Sequence, residues 1–191
     1  SVDAVEAGRT WRSSAWPDPL YAVAGLAHGL VVHDPSGEAA RLQSRLSRPA
    51  PMFVKVVRDG VRQALPDYLR ELRAATTRGD LWLHQKLLGE LIRMEYVLLF
   101  AVAGHYCPFP KHLSAWLDRL GIEPSLVALD RDVWGAPTPE AQTQAAEDLA
   151  IALLDTRDGV RGDFHGAAGG SSPDAHGPFT GRPGGAPSAG R

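Results

Sequence analysis

Cysteine is almost absent from this sequence, which has Cys107 and no other among 191 residues. One cysteine cannot form an internal disulfide or a cysteine-based zinc site. Long hydrophobic runs are lacking too, because the longest apolar stretch, residues 96–103, is far shorter than the roughly 20 residues that cross a bilayer. With no secretory signal visible, we expect a cytoplasmic protein with no membrane span.

An excess of charge of one sign is also missing. The chain has 20 Lys plus Arg and 22 Asp plus Glu, a formal net charge of -2. Proteins that bind duplex nucleic acid or anionic membranes usually carry a basic patch. We therefore expect neither partner. With 44% hydrophobic residues, the chain has enough apolar surface for one ordinary domain with its own core.

Sizeable apolar residues are scarce near the C-terminus. Residues 158–191 contain ten of the chain's 20 glycines, with Val160, Phe164 and Phe179 as the large apolar groups. Such a composition buries too little surface to offset the entropy of ordering. The sequence predicts a disordered tail over 158–191 and confines the fold to 1–157.

The N-terminal part has a mixed pattern. Asp18 is placed to cap a helix that has Pro19 at its first position. Residues 30–32, Leu-Val-Val, predict a short strand, and residues 34–37, Asp-Pro-Ser-Gly, predict its exit turn. The chain begins with Ser1 rather than Met, which indicates a fragment or a processed product.

The second half has the pattern of helices. Pro66 and Asp67 predict the start of one helix, and Asp80 predicts the cap of a long central helix over 81–105. Apolar residues recur there at helical spacing, as do those of shorter helices over 112–120 and 138–155. The fold class is therefore mainly α, a helical bundle around a long central helix with a short N-terminal β remnant.

Glu95 occupies a position on the apolar face of the central helix, four residues after Leu91 and three before Leu98. Its side chain should therefore point toward the interior. An arginine partner would make it half of a structural ion pair, whereas burial without one would raise its pKa and suit it to proton abstraction. Both interpretations are open from the sequence.

The central helix is followed by a corner that contains Tyr106, Cys107, two prolines and Lys111. The prolines restrict the backbone and so hold the amine of Lys111 in one direction. Such a lysine can bind phosphate or carboxylate, or it can simply begin a solvated helix while the aromatic residues pack beneath it. Cys107 has no positioned base and is expected to be a packing residue.

Other chemical motifs are incomplete. The histidines lack the spacing of a zinc enzyme, so we expect no metal site. Arg78 and His84 lie six positions apart, superficially as in HEPN-type ribonucleases, but a helix start is predicted between them. Asp130 and Asp132 have the alternate spacing of a two-metal site, but no Gly-Ser turn precedes them and they are expected in a loop.

Residues 99–111, Leu-Phe-Ala-Val-Ala-Gly-His-Tyr-Cys-Pro-Phe-Pro-Lys, resemble the tyrosine, proline and lysine signature in the helical C-terminal part of bacterial nucleotidyltransferase-superfamily proteins. Residues 30–37 look like the strand and turn that leave the nucleotidyltransferase core. Residues 78–80 look like the turn before the long helix. Departures are Ala103, where the signature has Asn, and His112, where it has Trp.

The resemblance implies that 1–48 are the remnant of the core and its connector and 49–157 the helical bundle domain. It implies transfer of a nucleoside monophosphate from a magnesium nucleotide to a small-molecule acceptor. The Gly-Ser and Asp-x-Asp segment that binds magnesium in such proteins is absent from this chain. Asp3 would be the remnant of a third carboxylate on a strand, and Glu95 the catalytic base for the acceptor. Lys111, Tyr106 and His105 would bind substrate.

A competing class of function is also compatible with the residues. The chain could be a noncatalytic helical interaction module, in which Tyr106, Phe109 and Trp116 form a surface that docks a partner or a second copy as a homodimer. In that case no nucleotide or magnesium would be involved.

Overall fold

The computed structural model describes residues 2–12, 18–111 and 113–156, without the side chain of Ser114. These residues are mainly helical and contain no strand. Their helices are α1 (Val2–Glu6), α2 (Pro19–His28), α3 (Glu38–Arg45), α4 (Pro51–Thr77), α5 (Leu81–Val102), α6 (Leu113–Arg119), α7 (Pro124–Gly135) and α8 (Pro139–Asp155). The predicted fold class is confirmed in its helical part, with α5 as the central helix.

Short polar side chains begin three of these helices. Asp18 accepts a hydrogen bond from the Leu20 amide at 2.9 Å, and Asp80 accepts one from the Leu83 amide at 3.0 Å. The hydroxyl of Thr138 does the same for α8. Each cap satisfies an amide that has no partner within the helix, and the predicted caps at Asp18 and Asp80 are confirmed.

Glycine ends two of the long helices. Gly79 and Gly104 have positive φ angles of 69° and 84°, a conformation that glycine adopts without steric cost. The amide after each glycine returns to the carbonyl five residues earlier, at 2.9 Å after α4 and 2.8 Å after α5. This Schellman geometry explains why α5 ends at Val102 and not at the predicted residue 105.

Pro66 lies inside α4 and does not begin a helix there. The prediction of a helix start at Pro66 and Asp67 is wrong because the buried face continues across the proline, from Val61 and Leu65 to Leu69. Pro66 itself is exposed. Burial of the apolar residues on both sides offsets the hydrogen bond that proline cannot make.

Residues 30–32 form no strand. Leu30 and Val32 are 90% and 89% exposed, and no neighbouring strand exists among the described residues to pair with them. The predicted β remnant is therefore wrong, since β propensity without a pairing partner does not specify a strand. The turn that follows is confirmed, because the Gly37 amide donates to the Asp34 carbonyl at 3.1 Å.

The core lies where α4, α5 and α8 pack together, and α7 packs on α8. Helix α5 supplies half of the largest fully buried side chains, more than any other described helix, and α4 adds a buried residue at nearly every turn. The fully buried large residues include Phe53, Leu72, Leu88, Leu91, Ile92, Leu98, Leu99, Phe100 and Leu149. Burial of a side chain of this size contributes about 1.5–3 kcal/mol, so α5 is the helix on which the bundle depends most.

Polar contacts set the position of α8 against the other helices. Nε2 of the buried His84 lies 3.1 Å from both the Pro139 carbonyl and the Thr143 hydroxyl. Arg58 donates to the carbonyl of Thr156 at the end of α8, at 2.7 Å. His84 is thus engaged in a structural contact, whereas Arg78 is exposed at the end of α4.

The helices on both sides of the predicted boundary at residue 48 belong to one compact unit. The boundary itself stays a prediction. The predicted disordered tail, 158–191, lies outside the described residues.

Candidate functional site

Glu95 lies in the middle of α5 and is 0% exposed, which confirms its predicted interior position. Neither of its carboxyl oxygens has a hydrogen-bond partner among the described residues. The expected alternative of an ion pair with arginine is not formed, because the nearby Arg93 instead contacts Asp18 at 3.4 Å. A buried carboxyl group without a partner is rare in proteins and calls for a physical explanation.

Burial raises the pKa of Glu95 well above its ordinary value, and the charge of Asp130 raises it further. An apolar interior disfavours the charged form, and a second acid nearby disfavours it too. This environment therefore favours the neutral acid form of Glu95.

Asp130 comes from α7, where it lies on the buried face between Leu126 and Val133. The prediction that residues 130–132 form a loop is wrong, because this apolar face holds them in a helix against α8. The Tyr96 hydroxyl donates to Oδ1 of Asp130 at 2.8 Å. Burial raises the pKa of Asp130, and the hydrogen bond from Tyr96 partly offsets that rise.

Trp134, one turn after Asp130, completes this contact between helices. Its indole N–H donates to the Tyr96 hydroxyl at 3.1 Å, while its ring is about half exposed. We call Glu95, Tyr96, Asp130 and Trp134 the acid seam between α5 and α7. Sequence reasoning identified Glu95 but missed the other three, because the hydrogen bonds that join Tyr96, Asp130 and Trp134, and the effect of the Asp130 charge on Glu95, arise only in the folded chain.

The corner after α5 is anchored in the core. Tyr106 is buried with its ring 5.3 Å from that of Phe53, and Cys107 and Pro108 are buried beside it. Burial raises the pKa of the Cys107 thiol above its ordinary range, which disfavours the thiolate and supports the packing role predicted for this cysteine.

Beyond Pro108 the corner reaches the surface. Phe109 packs edge-on against Tyr21 with ring centroids 5.3 Å apart. Lys111 is exposed and makes no ion pair within the part of the chain that the structure describes. The amine is thus free to meet a ligand, while the buried residues before it fix the path of the backbone.

His105 lies beside His28 from the end of α2, with ring centroids 5.5 Å apart, and Trp116 of α6 covers His28 at 5.5 Å. Burial is the first cause that lowers the pKa of both histidines. The charges of Arg119 on His28, and of His28 and Arg48 on His105, lower the pKa further. Both rings are therefore neutral at pH 7.

Asp3 lies on α1 and not on a strand, which corrects its predicted place as a strand carboxylate. Its side chain is exposed and, with Glu6, pairs with Arg45 of α3. The arginine lowers the pKa of Asp3 through a hydrogen bond and its charge. Asp3 therefore links α1 to α3 and has no contact with the acid seam.

The structure does not bring all the predicted site residues together. His105, Tyr106 and Lys111 lie beyond the C-terminal end of α5, whereas Glu95 lies seven residues before that end, about 10 Å along the helix axis. Among the described residues no hydrogen bond or ion pair joins Glu95 to the corner. The candidate site therefore has two separate parts, the acid seam and the corner.

A surface groove lies elsewhere on the molecule. It has a volume of about 330 Å³ and is lined by Trp11 and Arg12 together with residues of α4 that include Gly60 and Gln63. None of the predicted site residues lines it.

Among the described residues, no group of three or more His, Cys, Asp or Glu side chains is arranged to hold a metal ion. None of the described helices is long and apolar enough to cross a membrane. The chain matches no protein-family model, no curated protein and no solved structure.

Proposed function

We propose that this chain is the acceptor-binding helical portion of a nucleotidyltransferase-like protein, which transfers a nucleoside monophosphate to a small molecule. The proposal starts from the resemblance of residues 99–111 to that superfamily. The observation that carries it is Glu95, a fully buried carboxyl group that no described residue pairs or hydrogen-bonds. A structural acid would have a partner, whereas a group that serves a substrate is left without one until the substrate binds.

In this proposal Glu95 acts as the general base for the acceptor. It is neutral in the closed interior, and an acceptor that reached the acid seam would supply the hydrogen-bond donors that its oxygens lack. Such donors favour the charged form of a carboxyl group and lower its pKa. Once the Glu95 proton has passed to solvent, the resulting carboxylate can take the proton of an acceptor hydroxyl or amine.

The corner has a binding role in the same proposal. The amine of Lys111 is exposed and suits an anionic group of the substrate, such as phosphate or carboxylate. His105 is half-buried and neutral, so it can donate or accept a hydrogen bond there. Tyr106 is buried and supports the corner from beneath without reaching a ligand.

The described residues do not suit the magnesium ion that the resemblance implies. Among the described residues, Glu95 and Asp130 belong to no group of three or more acids, histidines or cysteines that could hold a metal ion. We therefore assign no catalytic step to magnesium or a nucleotide on these residues, and the proposed role of the chain is to bind and deprotonate the acceptor.

The test uses the complete native gene product that contains this chain. Radiolabelled ATP, CTP, GTP and UTP are each supplied with magnesium and a library of small hydroxylated and amino compounds, and transfer of the nucleoside monophosphate is measured. We expect transfer by the native protein, loss of at least about a hundredfold in Glu95→Gln, and retention in Glu90→Gln, whose exposed carboxylate lies on the same helix.

Two results would refute the proposal. One is a native protein that neither binds nor transfers any nucleotide. The other is a folded Glu95→Gln variant that transfers as fast as Glu90→Gln. Melting temperatures of both variants show whether a loss of transfer reflects loss of the fold.

A second candidate is a noncatalytic interaction module that forms a homodimer. It is favoured by two adjacent apolar residues at the start of α5, Leu81 and Trp82, which are 58% and 75% exposed. The surface predicted from Tyr106, Phe109 and Trp116 lacks its first member, since Tyr106 is buried. Sedimentation equilibrium discriminates: this candidate expects a dimer that Trp82→Glu dissociates, and it is excluded if the native chain is monomeric at high micromolar concentration.

A further inference from the structure

We infer that the acid seam between α5 and α7 is a proton-controlled latch, which is closed while Glu95 carries its proton and opens when that proton is lost. The inference concerns the conformation of this chain and does not depend on the proposed transferase function. The supporting observations are the contacts that hold α7, the lack of hydrogen-bond partners for the buried Glu95 carboxyl group among the described residues, and the charge of Asp130.

Helix α7 packs mainly on α8, and the hydrogen bonds of the acid seam are its polar link to α5. The helix lies between two short connections, one with Gly121 at a φ of 61° and one through the extended residues Ala136 and Thr138. When the seam opens, the hydrogen bonds of Tyr96 with Asp130 and Trp134 break, while the contact of α7 with α8 is kept.

Glu95 is fully buried and has no donor for its oxygens among the described residues. The charge of Asp130 on α7 acts on the Glu95 carboxyl group, and on α5 itself the neighbouring Tyr96 donates its hydrogen bond to Asp130 and not to Glu95. Helices α4 and α8 also pack on α5. Between these helices Tyr68 donates to Glu90, Arg73 donates to Glu147, and His84 contacts the Thr143 hydroxyl, and none of these described groups hydrogen-bonds Glu95.

Loss of the Glu95 proton would therefore place a carboxylate in the interior, under the charge of Asp130 and with no cation among the described residues paired to it. Burial of an unpaired charge is strongly unfavourable, and two carboxylates at close range repel. Separation of α7 from α5 would reduce both the cost of the buried charge and the repulsion between the carboxylates, because water would then reach the two acids. The open form binds the Glu95 proton less tightly than the closed form, so opening releases a proton.

Burial raises the pKa of Glu95 in the closed form from an ordinary value of 4.5, and the opening equilibrium of α7 therefore increases with pH across the window between the two values. The increase is about tenfold per pH unit within that window, since one proton is released. Below the window the latch is closed and opening does not depend on pH.

Hydrogen exchange with mass spectrometry on the full chain tests the inference. The observable is the protection of the α7 peptide relative to the α4 peptide between pH 5 and pH 9, after correction for the intrinsic pH dependence of exchange. In the native chain we expect the relative protection of α7 to fall by about tenfold per pH unit over at least one pH unit.

Two variants remove the titrating group, and one leaves it in place. Glu95→Gln and Glu95→Met should both make the relative protection of α7 independent of pH, and Glu90→Gln should behave as the native chain. The methionine variant places an uncharged, apolar side chain of similar length at this position. It provides the test if the glutamine variant does not fold.

Two results with the native chain alone would overturn the latch. Relative protection of α7 that stays constant from pH 5 to pH 9 would show that no proton controls the seam. Equal loss of protection in α4 and α7 would show that ionisation of Glu95 unfolds the whole bundle and does not open α7 alone.

Discussion

The Tyr96 hydroxyl donates a hydrogen bond to Asp130 at 2.8 Å and accepts one from the Trp134 indole at 3.1 Å. One oxygen atom thus joins α5 to α7. Tyr96→Phe removes it and leaves the largely buried Asp130 without its donor from α5. We expect a loss of about 1–3 kcal/mol in the free energy of unfolding, since a buried polar group then has no partner.

Urea unfolding followed by circular dichroism measures this loss. The matched control is Tyr68→Phe, whose hydroxyl donates to Glu90 at 3.0 Å on the exposed surface. We expect that variant to lose less than about 1 kcal/mol, because water replaces an exposed hydrogen bond. Equal losses in the two variants would contradict a structural role for the Tyr96 hydroxyl.

Gly60 of α4 leaves room for the ring of Trp11. A Cβ at this position would lie 2.2 Å from Cζ2 of Trp11, far inside van der Waals contact. Gly60→Ala should therefore displace the indole and cost about 1–3 kcal/mol of stability, as overpacking does in other cores. Thermal unfolding and the emission spectrum of tryptophan record the change.

Gly89 of α5 is the matched control for Gly60. It too lies within a helix, but a Cβ there would have no neighbour within 4 Å. Gly89→Ala should raise stability by about 0.5–1 kcal/mol, because alanine loses less conformational entropy in a helix. Stabilisation by both substitutions would show that the packing of the Trp11 ring against α4 does not require a glycine at position 60.

The ends of the long helices could be predicted from sequence because their signals are local. Asp18 and Asp80 each place one oxygen next to the amides that lack partners in a helix's first turn, and that geometry depends only on neighbouring residues. The interior position of Glu95 followed in the same way from its spacing to Leu91 and Leu98.

Long-range contacts decided the features that the sequence did not reveal. Pro66 favours a helix start, yet the burial of Val61 and Leu69 on one face holds a single helix across it. The helical spacing of these apolar residues is visible in the sequence and is a stronger signal here than the proline. Leu30 and Val32 favour a strand, but a strand needs a partner that only the tertiary fold supplies.

Only one part of the acid seam, the interior position of Glu95, could be predicted from the sequence. Asp130 interrupts the apolar face of α7 between Leu126 and Val133. The spacing of apolar residues therefore did not indicate a helix there, and Asp130 was expected in a loop. Its contact with Tyr96 spans 34 positions of sequence. Such a contact has no local signature, so the acid seam could be found only after the helices were placed.

The pair of His28 and His105 predicts a dependence of stability on pH. The pKa of both rings is lowered in the folded chain, first by burial and then by neighbouring positive charges, from an ordinary value of 6.5. A lowered pKa means that the unfolded chain binds protons more readily. The contribution of the pair is complete above pH 6.5 and is lost as the pH falls through the lowered values.

His105→Gln should therefore reduce the loss of stability between pH 7.5 and pH 5.5, because it removes one ring whose pKa is lowered in the folded chain. His33→Gln is the control, since His33 is exposed. Urea unfolding at three pH values gives the slopes. A slope of His105→Gln equal to that of the native chain would contradict the prediction.

Asp18 has two roles that a second capping residue allows us to separate. One carboxylate oxygen accepts from the Leu20 amide at 2.9 Å, and the other lies 3.4 Å from Nη1 of Arg93 on α5. Asp80 has the first role alone, as the cap of α5. Asp80→Ala should cost about 1 kcal/mol, the usual value for a lost cap.

Asp18→Ala should cost more than Asp80→Ala by up to about 1 kcal/mol, because a partly exposed ion pair is lost together with the cap. Asp18→Asn keeps an oxygen for the Leu20 amide and should lose only the ion-pair part. In the background of Arg93→Met, Asp18→Asn should have no further cost, because the cation is already absent. If Asp18→Asn destabilises the chain equally with and without Arg93, the contact between α2 and α5 does not depend on that ion pair, and Asp18 acts as a cap alone.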